Sequence, residues 1–432
     1  MENPKRANEN RKELPLIEPI YATFNSQGSA TAVLAKNPGI RNWYYNKVMN
    51  LTCSLKFLSG FTTPELDIVG STWNDNPFVE KKVFSMQYES EQINRIIKDL
   101  IDDGYYVVFV GIDDFFVEGK SWYQERHFNH DGLICGYDLQ YDMFCIYAYD
   151  DNWIYRKFWT PAEGFNTGRI STYNSGLLGY LCGIKPLDTR VEFSAKNAVE
   201  GIKEYLRQDD KLQMLEGGGD EPAGGDARDG SNAANAGSFA KNNNSTDRKR
   251  SVTNDGNSVT IGGISNADNG SDDTDGGSNK TAGTYGDING NSEGTNIHSG
   301  ESAETDTDKE KNAVYGISVQ KFIAEYVSML YFGKIPYSRM DRRVFRMIWE
   351  HKNVMLQRIK MIEKALYLTG VTSEKYSRIE REANNLRLLY AAHLMKRRDS
   401  VLPFIKSKLL KLSEEENAIL TEFVAKAGEA AE

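Results

Sequence analysis

Two histidines, His127 and His130, stand just before a short apolar run that closes in a Gly-Tyr-Asp turn at 136–138. Imidazole changes its charge near neutral pH, which makes it the commonest general base in enzymes. A second apolar run follows at hairpin distance and ends in Asp150, which can return a carboxylate to the neighbourhood of His130. The spacing therefore predicts a base, His130, oriented by a carboxylate, with Asp150 preferred to Asp151 and Asp138.

The elements that must position these groups are strands. Leu133 to Cys135 predict a buried strand with His130 at its mouth, and residues 105–111 form the clearest β-branched and aromatic run in the chain. This second run ends in Asp113 and Asp114. These carboxylates either face the histidines as a site for a substrate amine or make the turn that follows the strand.

The order of these motifs resembles the C39-like branch of the papain-type cysteine peptidases. The wider sequence is similar to the N-terminal-domain family of butirosin biosynthesis protein H, whose members accompany peptide and polyketide antibiotic assembly lines. The stretch 60–70, the Asp113-Asp114 pair, the two histidines and the stretch 345–351 match that family in order. The likeness covers most of the chain outside residues 216–312.

In the resembled family the nucleophilic cysteine lies at the N-terminus of the first long helix, where unpaired N–H groups lower its pKa. Apolar spacing predicts that helix over 42–58, closed by Gly60, and the family's cysteine position then falls on Lys47. The nearest thiol, Cys53, would lie in mid-helix. We expect Cys53 to be a buried core residue, with the alternative that the helix starts late and turns the thiol toward His130.

The resemblance implies catalytic roles for His130, Asp150, Cys53 and Lys47, and substrate-binding roles for His127, Asp113, Asp114 and Tyr137. It implies an acyl or aminoacyl transferase that moves an acyl group from the thioester of an acyl or peptidyl carrier protein to a small-molecule amine acceptor. No cofactor is expected beyond a phosphopantetheine arm on that partner. The alternatives are a catalytically inactive scaffold of an assembly line and, less favoured, a cysteine peptidase. No metal site is predicted, because the two histidines have no clear third ligand.

Composition narrows the class of protein. The 432-residue chain has a formal net charge of -9, which argues against a nucleic-acid-binding surface. Its four cysteines show no metal-binding spacing, and no apolar run reaches membrane length. These features predict a cytoplasmic protein with reduced thiols and no membrane or nucleic-acid partner. They leave the oligomeric state open.

The predicted fold class is α+β, with a papain-like domain over 15–215 built on a mostly antiparallel sheet. A flexible terminus over 1–14 precedes it. Residues 216–312 are rich in Gly, Asn, Asp, Ser and Thr and predict a disordered insertion in which His298 carries no function. Residues 313–432 predict an all-α helical bundle that packs against the first domain.

Within the bundle, Asp341 is predicted to cap a long helix, and Ser413 with Glu416 to form the capping box of the last helix. His351 and His393 lie near apolar stripes and are predicted to be core or rim residues. The basic pair Arg342-Arg343 can meet an acidic carrier-protein surface or the phosphate of its arm. A solvated helix end is the simpler interpretation of that pair.

Overall fold

The computed structural model describes residues 10–60, 62–207 and 312–431. The predicted insertion therefore lies outside the described residues except for Asn312, and so do residues 1–9 of the predicted flexible terminus. All described residues belong to one compact unit.

The N-terminal part is built on antiparallel sheets, as predicted. The strands of the described residues are β1 (Arg11–Glu13), β2 (Leu51–Ser54), β3 (Leu66–Ile68), β4 (Val79–Ser85), β5 (Tyr106–Asp113), β6 (Asn129–Asp138), β7 (Met143–Tyr149), β8 (Tyr155–Pro161), β9 (Tyr180–Pro186) and β10 (Ala313–Tyr315). The large sheet runs in the order β4-β9-β5-β6-β7-β8, with β1 also paired to β6, and the small sheet runs β10-β2-β3. Every pairing among these strands is antiparallel.

Helices cover the sheet and make up most of the C-terminal region. The α-helices of the described residues are α1 (Asn25–Leu34), α2 (Pro38–Lys47), α3 (Ser90–Asp102), α4 (Ala162–Asn174), α5 (Ala195–Leu206), α6 (Val319–Tyr331), α7 (Arg343–Ala365), α8 (Val371–Lys396) and α9 (Leu402–Ala431). Side chains accept N–H groups at the start of two of these helices, as predicted for Asp341. The Ser194 hydroxyl accepts the N–H of Asn197 in α5, and the Asp341 carboxylate accepts the N–H of Arg343 in α7.

Alternation along the central strands sends side chains into two cores. Val107 and Phe109 of β5 belong to the core on the α3 and α4 side, whereas Tyr106 and Val108 belong to the core shared with α1 and the C-terminal helices. Successive side chains of a strand point to opposite faces, and both faces of β5 are buried. This double burial explains the unbroken apolar run from which β5 was predicted.

The C-terminal helices pack directly on the N-terminal part. The Glu350 carboxylate of α7 accepts the N–H groups of Ala22 and Thr23 at 2.9 Å, and the buried Arg358 guanidinium donates to the carbonyls of Tyr45 and Val48 at the end of α2. The small sheet also joins β10 from beyond residue 312 to β2. The predicted packing of the helical region against the first domain agrees with these contacts.

The predicted helix over 42–58 is wrong. α2 ends at Lys47, the backbone extends into β2 over Leu51–Ser54, and a 3₁₀ helix over Leu55–Ser59 ends at Gly60, which has φ +81°. The apolar residues at three- and four-residue spacing all point into the core, but they belong to three separate elements. Periodicity over this window matched a helix because a strand and a short turn continue the burial that α2 begins.

Three further predictions need correction. Arg11–Glu13, within the predicted flexible terminus, form β1, and Ala313–Tyr315, predicted to be helical, form β10. Ser413 and Glu416 do not cap a helix, because α9 runs unbroken from Leu402 to Ala431 and buries both side chains. His351 and His393 are buried, as predicted.

No helix among the described residues combines the length and the apolar character that crossing a bilayer would require.

Candidate functional site

The site forms where β5 ends and β6 begins. A bulge in β5 shifts the pairing register between Phe109 and Ile112, after which Asp113 lies opposite Asn129. Gly111 within the bulge has φ +71°, and an added Cβ there would approach the carbonyl of Leu178 to 2.8 Å. A bulge redirects the residues that follow it. It therefore aims the end of β5 at the first residues of β6, where His130 lies.

The first acid–base pair joins Asp114 and His130. The Asp114 Oδ2 lies 2.5 Å from His130 Nδ1, and its Oδ1 lies 3.4 Å from the Lys120 ammonium. The side chains of Asp114 and Lys120 are each 1% exposed, whereas that of His130 is 25% exposed. The Asp114 carboxyl group therefore lies between the Lys120 ammonium and the imidazole, and a carboxylate, which only accepts hydrogen bonds, pairs with Nδ1 when that nitrogen carries the proton. The Nε2 atom of His130 is then left to exchange protons.

The second pair joins Asp113 and His127. Asp113 Oδ2 lies 2.7 Å from His127 Nδ1 and accepts the Ser171 hydroxyl at 2.8 Å, while Oδ1 accepts the N–H groups of Phe115 and Phe128. Burial alone would raise the pKa of Asp113, but the hydrogen bonds from His127, Ser171 and the two backbone groups hold that pKa below its ordinary value. This carboxylate is therefore ionised at neutral pH and fully engaged.

Aromatic rings flank both imidazoles. The ring of Phe115 stacks on His127 with centroids 4.4 Å apart, and Phe128 meets His130 edge to face at 4.4 Å. His127 is the more open of the two imidazoles, with 66% of its side chain exposed. His130 combines a buried carboxylate–lysine support with a partly covered ring, so it is the better placed general base.

Asp150 does not orient His130, contrary to the prediction. Its carboxylate accepts the N–H groups of Asn152 and Ile154 and pairs with Arg156, so it organises the turn between β7 and β8. Asp114 takes the predicted place beside the imidazole. Both predicted alternatives for the acidic pair apply in part. Asp113 and Asp114 contact the two histidines, and Asp113 also makes the turn after the strand by accepting the N–H of Phe115.

The two predicted nucleophiles lie apart from this arrangement. Cys53 is fully buried in β2, where its thiol contacts the carbonyl of Ser54, and burial raises its pKa. A thiol in that state is a poor nucleophile. Lys47 is exposed at the last turn of α2. The expectation that Cys53 is a core residue agrees with its burial, although it lies on a strand and not in a helix.

One more predicted residue, Tyr137, lies away from the site, and two residues that were not predicted, Lys120 and Asp131, lie at it. Tyr137 lies toward the far end of β6 from His130 and donates its hydroxyl to Asp102 at 2.8 Å, so it is a structural contact. Lys120 was missed because a lone lysine between turns carries no sequence signal of burial. Asp131, next to His130, was also missed. Burial raises its pKa although the Gly111 N–H donates to it.

Asp114 was recoverable from sequence in principle. Two consecutive antiparallel strands bring the end of the first to the beginning of the second, so the acidic pair at the end of β5 had to approach the histidines at the start of β6. All four cysteines are free and buried. The described residues contain no group of three His, Cys, Asp or Glu side chains arranged to hold a metal ion.

No protein-family model and no curated protein matches this chain.

Proposed function

We propose that this protein catalyses acyl transfer from a carrier-protein thioester to an amine acceptor, with His130 as general base and without an acyl-enzyme. The observation that carries the proposal is the Lys120–Asp114–His130 arrangement, in which two buried charges support a partly exposed imidazole. The sequence resemblance to the butirosin biosynthesis protein H family and its papain-like fold supports the choice of thioester and amine. The α+β architecture with antiparallel sheets is compatible with that fold.

In the proposed reaction, the acceptor nitrogen attacks the thioester carbonyl carbon while Nε2 of His130 takes a proton from the nitrogen. The C–S bond then breaks, and the proton returns from the imidazole to the thiolate of the leaving arm. The amide bond replaces the thioester bond, so no oxidant or second cofactor is required. Asp114 stabilises the imidazolium that forms during the transfer, in the manner of a carboxylate behind a catalytic histidine.

Direct transfer is favoured over covalent catalysis because of where the thiols lie. Each of the four cysteine side chains is buried, and the one that the resemblance brings nearest to the nucleophile position, Cys53, sits in the core on β2. The same burial speaks against the cysteine peptidase alternative. The unpaired thiols also suit the proposed cytoplasmic location, where thiols stay reduced.

The test is acyl transfer from a panel of acyl-loaded carrier proteins to amine acceptors, followed by intact-mass spectrometry of donor, acceptor and protein. We expect transfer by the wild type, no acylated protein, and a loss of about 10²- to 10⁴-fold in rate in His130→Gln. Cys53→Ser is the matched control for a buried thiol and should retain the rate. An adduct that disappears in Cys53→Ser, or a rate unchanged in His130→Gln, would contradict the proposal.

A second candidate function is a scaffold of an assembly line that binds carrier proteins without catalysis. The exposed Lys47 at the family's cysteine position and the burial of every thiol favour it. It predicts carrier-protein binding by the wild type with no deacylation of any donor in the same assay.

A further inference from the structure

A row of aromatic rings leads away from His130 across the surface. Phe128 contacts His130, Trp122 lies 6.2 Å from Phe128, and Trp153 lies 5.8 Å from Trp122, all measured between ring centroids. We call Phe128, Trp122 and Trp153 the aromatic strip. It joins the histidine end of β6 to the turn between β7 and β8.

Two arginines stack on this strip. The Arg126 guanidinium lies 4.1 Å from the ring of Trp122, and the Arg342 guanidinium lies 3.8 Å from the ring of Trp153. Arg342 comes from the residue before α7, so the C-terminal helical region contributes to the same surface as the sheet. Stacking on an aromatic face leaves the edge of a guanidinium, with its N–H donors, open to a ligand.

Neither of these arginines has an anionic partner within the described part of the chain. Neighbouring arginines do, since Arg343 pairs with Asp341 and Arg346 pairs with Glu350. Arg126 and Arg342 make no side-chain hydrogen bond or ion pair to any described residue. Burial lowers the pKa of Arg342. The nearby Tyr149 and Asp341 partly oppose this shift, and Arg346 and Arg343 add to it. The Arg342 guanidinium is therefore partly desolvated and has no ion-pair partner at contact distance, which favours capture of an anion.

The turn that presents Trp153 is held in an unusual backbone conformation. Trp153 has φ +59°, a region that bulky side chains rarely adopt. Asp150 maintains the turn through the N–H groups of Asn152 and Ile154, and the Ser121 hydroxyl donates to the Asp150 carbonyl at 2.7 Å. A strained backbone of this kind persists only where surrounding contacts hold it in place, and such positions are common at ligand sites.

We propose that the aromatic strip with Arg126 and Arg342 binds an oxyanionic group of the substrate, a phosphate or a carboxylate, while the reacting carbonyl lies at His130. The inference rests on the proposed function for the identity of the reacting group. The oxyanion site itself stands on the two unpaired guanidinium groups. Two arginines over aromatic rings also suit single-stranded nucleic acid, but the net charge of -9 opposes a polyanion.

The test measures equilibrium binding without turnover. Binding is detected by the change in tryptophan fluorescence at low ionic strength. The probes are S-acetyl-phosphopantetheine and S-acetyl-pantetheine, which differ only in the terminal phosphate. We expect the wild type to prefer the phosphorylated probe, and Arg342→Gln and Arg126→Gln each to weaken its binding about tenfold or more without affecting the other probe. Arg95→Gln on α3 removes an exposed arginine elsewhere and should change neither affinity. Competition by inorganic phosphate or by acetate separates a phosphate from a carboxylate preference.

Several outcomes would overturn this inference. One is equal affinity of the wild type for both probes together with no competition by phosphate or acetate. Another is a loss in Arg342→Gln that Arg95→Gln reproduces, and a third is tighter binding of a single-stranded oligonucleotide than of the phosphorylated probe. If Arg342 only clamps the turn, its variant lowers the melting temperature and leaves the preference between probes intact. Phosphate-dependent binding that is present without any acyl transfer would retain the oxyanion site and reject the proposed function.

Discussion

Two regions of this protein combine lysine, carboxylate and histidine, and they differ in what surrounds the imidazole. At the sheet end, Asp114 bridges Lys120 and His130, and the ring of His130 is partly exposed. In the helical region, Glu416 of α9 lies 2.7 Å from the Lys352 ammonium of α7, with both side chains fully buried. The neighbouring His351 is buried as well.

The partners of the two histidines differ accordingly. The Nε2 atom of His351 lies 2.7 Å from the carbonyl oxygen of Met49, and its Nδ1 atom lies 3.4 Å from the Lys352 ammonium. Burial, and then the charge of Lys352, lower its pKa well below the ordinary value. His351 is therefore held neutral with both nitrogens engaged, whereas His130 keeps one nitrogen for a substrate. The same three residue types make a structural cluster when sealed and a candidate site when one member reaches the surface.

The largest expected effect is in the sealed cluster. Lys352→Met leaves the Glu416 carboxylate buried without its cation, although Gln320 and Tyr376 still donate to it. We expect a loss of about 3–5 kcal/mol in the free energy of unfolding, measured with urea. The double variant Lys352→Met/Glu416→Gln should recover part of that loss, because no unpaired charge remains. Equal losses in single and double variants would show that the charge pair is not the cause.

The next effect compares the two histidines by one substitution. His351→Asn should lower the free energy of unfolding by about 1–3 kcal/mol, because buried polar groups lose a partner. His130→Asn should lower it by a comparable amount, because the buried Asp114 carboxylate loses its imidazole partner, and it should also reduce the rate of acyl transfer. An equal reduction in transfer rate in His351→Asn would show that the loss follows from destabilisation and not from a catalytic role of His130.

A smaller effect is the pH dependence of stability, to which Asp113 and Asp131 contribute in opposite directions. Hydrogen bonds lower the folded-state pKa of Asp113, so its contribution to stability is present above its unfolded pKa of about 3.9 and is lost as pH falls through the folded value. Burial raises the folded-state pKa of Asp131, so its contribution is present below about 3.9 and is lost as pH rises through the folded value.

The corresponding asparagine variants test this difference by unfolding between pH 3 and pH 7. Asp113→Asn should be less stable than the wild type at pH 7, with the gap closing on acidification. The free energy of unfolding of Asp131→Asn should increase relative to that of the wild type as pH rises. Parallel curves for the two variants would contradict the opposite shifts.

The smallest expected effect concerns the turn between β7 and β8. Asp150→Ala removes the acceptor for the N–H groups of Asn152 and Ile154 and should cost about 1 kcal/mol in unfolding free energy. It should also loosen Trp153 and weaken the oxyanion preference, while leaving the His130–Asp114 pair in place. A complete loss of acyl transfer without a change in binding would restore Asp150 as a residue that acts on His130.

Local sequence determined much of the sheet. The run before Asp113, the run after His130 and the run over 143–149 are apolar and β-branched or aromatic, and each became a strand because both faces of the sheet are covered. Asp341 and Ser194 acted as caps because a side chain reaching a nearby N–H is a local event. The placement of His130 at the start of a strand was accessible for the same reason.

Only the tertiary structure decided which charged residues are buried and with whom. Asp114 follows a strand that the sequence predicts, but no local pattern shows that its carboxylate is buried against Lys120. Glu416 matches the pattern of a helix cap, but in the structure it pairs with Lys352 of another helix. The choice of Asp114 over Asp150 came from a bulge at Gly111 that re-aimed a strand end. Such pairings depend on three-dimensional proximity that local sequence does not encode, and a buried charge is stabilised only when its partner lies beside it.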